Sequence, residues 1–173
     1  MAQPTGANPQ QTLLAVLEDG RQDVLASLQG LSDAQASTKP APDRWSPLEC
    51  MEHIVVVEDR FLGWIATGTL IEPVQDDEKA TKLFGMVTNR TVKAQAPEAV
   101  HPTGRFKSVA EAVEAFNAAR DRSVQVVKSR SAELLGVGVK HPRFGDMNAA
   151  ELVHLLTGHA CRHAAQIREC AQA

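Results

Sequence analysis

NAAELVHLLTGHACRHAAQIREC, Asn148 to Cys170, opens on Asn148 with Glu151 three residues later and then spaces its apolar residues as a helix does. A small polar side chain at the cap position and a carboxylate three residues on satisfy each other's free backbone N–H groups, which marks a helix start. The core-facing stripe that follows runs Leu152, Leu155, Leu156, His159, His163, Ile167 and Cys170. At 3.6 residues per turn these share one face, so two imidazoles occupy positions that the pattern reserves for core.

The same reading extends upstream. Asn8-Pro-Gln-Gln11, Ser46-Pro-Leu-Glu49 and Ser108-Val-Ala-Glu111 repeat the capping pattern, two of them with Pro at the favoured first helical position. Trp45 and Met147, each just before a cap, suit the staple position. Three more stripes follow from these starts: Leu13, Leu17, Val24, Leu28 and Leu31; Met51, Ile54, Phe61 and Ile65; Val109, Val113, Phe116 and Val127. A further helix is expected over 76–96, between Pro73 and Pro97. The turn-rich pieces 39–44, 102–104 and 136–145 read as connectors. Alternating strand patterns are scarce, so the expected fold is all-α: an up-and-down four-helix bundle with short additional helical or loop segments. One domain is expected over 1–173, with residues 1–7 as a tail.

Composition excludes several function classes. Of 173 residues, 43% are hydrophobic and 23% charged, and the net charge is −3, with no basic run to track a phosphate backbone. Nucleic acid is therefore not an expected partner. No apolar run approaches the roughly 20 residues of a membrane span, and MAQPTGANPQ lacks the features of a secretory signal, so a cytoplasmic location is expected. Cys50, Cys161 and Cys170 are odd in number and lie in helical segments, which reads as free thiols.

Burying His159 and His163 about one turn apart requires partners for their ring nitrogens. A hydrogen-bonded pair meets that need, and so does a metal ion, because the i, i+4 spacing aims two neutral imidazoles at one point. His53, near the start of the second stripe and at its edge, is the candidate third ligand. His154 points about 140° away from His159 around the helix, and Cys161 about 200° away. His101 and His141 each precede Pro in turn-rich segments and read as solvated or turn-packing. Glu151-Leu-Val-His154 is a lone Glu-x-x-His, and Glu151 is already used by its cap, which argues against a di-metal centre. Glu58 lies in core register beside Ile54 and Phe61, either as a carboxylate supporting the site or as an interhelical hydrogen-bonding residue.

Together these segments resemble a known family. Trp45-Ser-Pro-Leu-Glu-Cys-Met-Glu-His53-Ile-Val-Val-Val-Glu58, Pro102-Thr-Gly-Arg-Phe-Lys-Ser108, His141-Pro-Arg-Phe-Gly145 and Leu155 to Ile167, in that order, are similar to the motifs of the DinB-like (YfiT-like, damage-inducible) metal-binding four-helix bundles. The resemblance implies a mononuclear divalent-metal site on His53, His159 and His163, with zinc or nickel as the ion. It further implies a metal-dependent enzyme acting on a small-molecule substrate, either an S-transferase using a low-molecular-weight thiol or a hydrolase using water. The alternative is a non-catalytic metal-binding or stress-associated bundle protein. Amphipathic helices in a chain of this size also make a two-fold homodimer an expectation.

Overall fold

The computed structural model describes residues 9–130 and 133–172. Four long helices form the frame: α1 (Pro9–Ser27), α3 (Pro47–Ala66), α5 (Val109–Arg130) and α6 (Ala149–Ala171), with α2 (Asp33–Ser37) and α4 (Asp77–Thr88) as shorter additions. The expected starts at Ser46 and Asn148 are both complete capping boxes. Ser108 accepts from Glu111 N at 3.1 Å, but the Glu111 carboxylate reaches back to Lys107 N instead. Asn8 lies outside the described residues. A capping box not anticipated, Ser32 with Gln35, starts α2.

Three expectations change. First, the chain is not wholly helical: β1 (Thr69–Leu70), β2 (Val137–His141) and β3 (Gly145–Asn148) form an antiparallel sheet in the order β1-β2-β3. The segment 136–145 is thus mostly a β-hairpin. Val137 and Val139 bury themselves in the core, and Gly145 takes the left-handed φ of 77° that the tight turn requires.

Second, the helix expected to reach residue 96 stops at Thr88. Asn89 Oδ1 accepts from Thr91 N at 2.9 Å, a local turn that competes with helix continuation. The freed carbonyls of Val87, Asn89 and Val92 are then taken by the Arg162 guanidinium of α6.

Third, the bundle is not wound in simple up-and-down order. α1 packs on α5 and α6, and α3 also packs on α5 and α6, so α1 and α3 face one another across the diagonal. Short loops would make successive helices neighbours. Here the long connection through α2 lets the chain cross instead. α4 lies against α6, where Gly158 allows close approach: a Cβ there would stand 2.5 Å from Val87 Cγ1 and 3.1 Å from Phe84 Cδ2.

The core has two apolar halves. Leu17, Phe61, Ile65, Val137, Leu152 and Leu155 belong to the half beside the sheet; Val24, Met51, Ile54, Phe116, Ala160 and Ile167 belong to the other. Between them lies a polar layer. Arg120 and Glu58, 0% and 1% exposed, form a two-pronged ion pair at 2.8 and 3.1 Å. Ser123 Oγ donates to Glu58 at 2.7 Å, and Arg120 Nη1 donates to the Leu17 carbonyl at 2.6 Å. Glu58 is therefore the interhelical hydrogen-bonding residue of the two readings, not a carboxylate of the histidine site. Among the described residues, no helix is long and apolar enough to cross a membrane.

Candidate metal centre

α3 and α6 bring His53, His159 and His163 together, one donor atom from each lying within 4.8 Å of the others. The capping boxes set this register, since Ser46 starts α3 about two turns before His53, and Asn148 starts α6 about three turns before His159. His53 and His163 are buried and His159 is half-buried.

Hydrogen bonds fix which nitrogen each ring presents. His53 Nδ1 meets the Val100 carbonyl at 2.7 Å, and His163 Nδ1 meets Gln166 Oε1 at 3.0 Å. Both oxygens are acceptors, so both Nδ1 atoms carry the proton and both Nε2 atoms keep a lone pair. His53 Nε2 and His159 Nε2 are 3.1 Å apart. Either a proton lies between these two atoms or one cation takes both lone pairs.

The donor set fits a metal. Two nitrogens each about 2.0–2.1 Å from one tetrahedral zinc ion stand about 3.3 Å apart, close to the observed contact. An orienting acceptor on the far ring nitrogen is what ligating histidines ordinarily have.

Burial depresses the basicity of all three rings, and mutual repulsion adds to it for His159 and His163. At His53 the contact with Val100 opposes the burial effect, and His101 adds to it. Neutral imidazole, the metal-binding form, is therefore favoured.

With native pKa values below the ordinary 6.5, the unfolded chain binds protons that the native chain does not once the pH falls below about 6.5. Metal-free protein should thus lose stability from about pH 6.5 downward and be insensitive to these groups above it. Urea midpoints measured between about pH 7.5 and pH 5 check this, and a flat profile contradicts it.

The other candidates are placed as follows. His154 is half-buried outside the cluster, in the field of Asp77 and Glu151. His101 is exposed, its Nε2 2.9 Å from the Ala96 carbonyl. Cys50, Cys161 and Cys170 are free thiols. Burial, with Asp23 beside it, pushes Cys161 up to about 12, so it supplies no thiolate. A cleft of about 610 Å³ lies on the sheet side, between Trp64, Lys79, Val139 and Glu151, and none of the three histidines lines it.

Sequence reasoning missed three supporting groups. Trp45 does more than staple a helix: its ring lies 4.7 Å from His53 and 6.0 Å from His163, stacked on the latter. Gln166 follows His163 by three residues on the same helix face, a spacing that could have flagged it. Glu52 accepts from Thr103 N, Thr103 Oγ1, Gly104 N and Arg105 N at 2.8–3.0 Å. It ties down the loop just after Val100, whose carbonyl orients His53. No local signal in the sequence links Glu52 to a loop some fifty residues away.

Fold and site together define a helical-bundle protein with a three-histidine centre between two of its helices. The chain belongs to the DinB superfamily, whose family model matches residues 16–167. The uncharacterized protein YuaE of Bacillus subtilis (strain 168) is 21% identical over 156 residues, covering 90% of this chain and 95% of YuaE. Among solved structures, YfiT from Bacillus subtilis superposes with a TM-score of 0.59 at 13% identity, over 99% of this chain and 91% of YfiT. Its bundle topology is described as unusual. The four-helix bundle protein TT2238 gives a TM-score of 0.54 at 19% identity, over 94% of this chain and 98% of TT2238.

Proposed function

We propose that His53, His159 and His163 bind one divalent ion, zinc or nickel, through Nε2, and that the chain is a metal-dependent hydrolase of small molecules. The observation that carries this reading is the fixed tautomer of His53 and His163 around the 3.1 Å contact between His53 and His159. YfiT, described as a probable metal-dependent hydrolase, supports the reaction class by likeness of fold. An ion held by three neutral ligands keeps its positive charge and supplies a Lewis acid that makes water or a thiol a better nucleophile near neutral pH.

The chain's own residues do the rest. Val100 O and Gln166 Oε1 hold two rings in the ligating tautomer, and Trp45 covers them from one side. His159 is the half-buried member of the three, which makes it the ring nearest to an entering substrate. The nucleophile comes from outside, because the protein's thiols are held protonated.

The test is turnover of ester and amide substrates by zinc- and nickel-loaded protein, with and without added low-molecular-weight thiols, against His159→Ala. Metal-dependent hydrolysis without thiol, lost in His159→Ala, is the expected result. Turnover that requires thiol would move the reading to S-transfer, and equal rates for the two proteins would remove the catalytic reading.

A further inference from the structure

By its sequence context His141 is a solvated or turn-packing histidine, and the structure gives its ring a more specific arrangement. It closes β2, at the turn into β3, and its Nδ1 accepts from Arg143 N at 3.1 Å and Phe144 N at 3.2 Å. Two backbone donors on Nδ1 leave the proton on Nε2, the opposite tautomer to that of His53 and His163. The ring is held edge-on against Phe61 and Trp64, with centroids at 5.6 and 5.5 Å, and is tilted on Phe144 at 4.9 Å. Its N–H edge therefore faces away from the turn, in a fixed orientation.

That N–H has no protein acceptor among the described residues. Nor is it sealed in, because among the described residues the fully buried side-chain polar atoms that lack a hydrogen-bond partner are Arg21 Nε and Thr157 Oγ1. By strand alternation His141 shares the face of β2 with the buried Val137 and Val139, which is the face turned toward the helices. His141 is close enough to His159 for a charge on one to disfavour a charge on the other. Burial, then Arg143, lowers its own pKa to about 4, so at neutral pH it is an uncharged donor.

We propose that His141 is a catalytic residue: its Nε2–H donates a hydrogen bond to the substrate oxygen that gains negative charge when the nucleophile attacks at the three-histidine centre. The role rests on the metal reading above. In the hydrolytic step, the water oxygen forms a bond to the carbonyl carbon and the C=O π pair moves onto oxygen. His141 stabilises that charge while keeping its own proton; the charge returns to re-form C=O as the bond to the leaving group breaks, and the proton given up by the water passes through solvent to the leaving group. A rigid, uncharged donor suits this task, since its own ring need not reorganise as the charge develops. The substrate class implied is a small carbonyl compound, an ester or amide. The positive field of Arg143 and Arg162, which repel one another, favours the oxyanion further.

The discriminating variant is His141→Asn. An Asn side chain can accept from the same turn N–H groups, so it preserves the turn, but it has no N–H at the position of Nε2. The probe is methylphosphonate, a tetrahedral anion resembling the attacked carbonyl, titrated calorimetrically into zinc-loaded protein. We expect His141→Asn to bind zinc and melt as the parent does, yet to bind methylphosphonate roughly 10- to 100-fold more weakly, the loss of one hydrogen bond to a charged group. In the parent, histidine nitrogen NMR should show the proton on Nε2 of His141 and a downfield move of that proton on adding methylphosphonate. Equal affinity in both proteins, or no binding to the zinc-loaded parent, would overturn the donor role while leaving the metal site standing. Failure of the parent to bind zinc would overturn the metal reading, and the donor role with it.

Discussion

Replacing Arg120 by Ala should cost about 3–5 kcal/mol, the penalty for leaving a buried partner charge uncompensated. Glu58 would remain with Ser123 as its side-chain partner in a buried layer, and the Leu17 carbonyl would lose its side-chain donor. Against a total stability of about 5–15 kcal/mol, that is enough to unfold a large fraction of the chains under mild denaturant. Glu58→Ala should behave similarly, since it strands the guanidinium. Joint replacement by apolar residues of similar volume, Glu58→Leu with Arg120→Met, should recover most of the loss, because the charges stabilise each other more than they stabilise the fold. Urea unfolding of the two single variants and the double variant measures this directly. Singles costing less than about 1 kcal/mol would mean that water or another group reaches the layer.

The second large effect is on metal uptake. Wild-type protein should bind one zinc ion per chain, and each of His53→Ala, His159→Ala and His163→Ala should weaken binding by more than the roughly 10- to 100-fold that follows loss of an orienting partner. Circular dichroism of these variants should stay helical, because the two apolar halves of the core do not depend on the imidazoles. Chelation should likewise lower the melting temperature without unfolding the protein; at a zinc concentration of 100 Kd the ion adds only about 2.7 kcal/mol. His154→Ala serves as the control. It lies outside the cluster and should bind zinc as the parent does. Unchanged binding in His159→Ala, measured by calorimetric titration, would contradict the assignment.

Much of this was legible in the sequence where the signal is local. The caps at Ser46 and Asn148 fixed two helix starts, and the core register of His159 and His163 showed that two polar rings were being buried. Arg120 carried the same kind of signal: it stands in a core face with Phe116, Ser123 and Val127, yet its partner on α3 depends on which helices become neighbours. The hairpin was hidden for a related reason. Val137-Gly-Val139 is a short alternation interrupted by glycine; its hairpin partner, Gly145–Asn148, is local but too short to show a pattern, and its other neighbour, Thr69–Leu70, lies far upstream. α4 ends earlier than expected through a local turn, Asn89 Oδ1 to Thr91 N, and through Arg162, from a helix that begins sixty residues later. Non-local contacts account for much of what was missed, and they include the Val100 carbonyl that fixes His53 and the aromatic clamp on His141.

The most direct measurement of the central claim is X-ray absorption at the zinc edge of stoichiometrically loaded wild-type protein near neutral pH. The expected spectrum has a shell of nitrogen and oxygen at about 2.0–2.1 Å with the outer-shell scattering of three imidazoles. A sulfur scatterer at about 2.3 Å would place the ion on a cysteine, and a shell without imidazole scattering would place it away from His53, His159 and His163; either result would contradict the assignment.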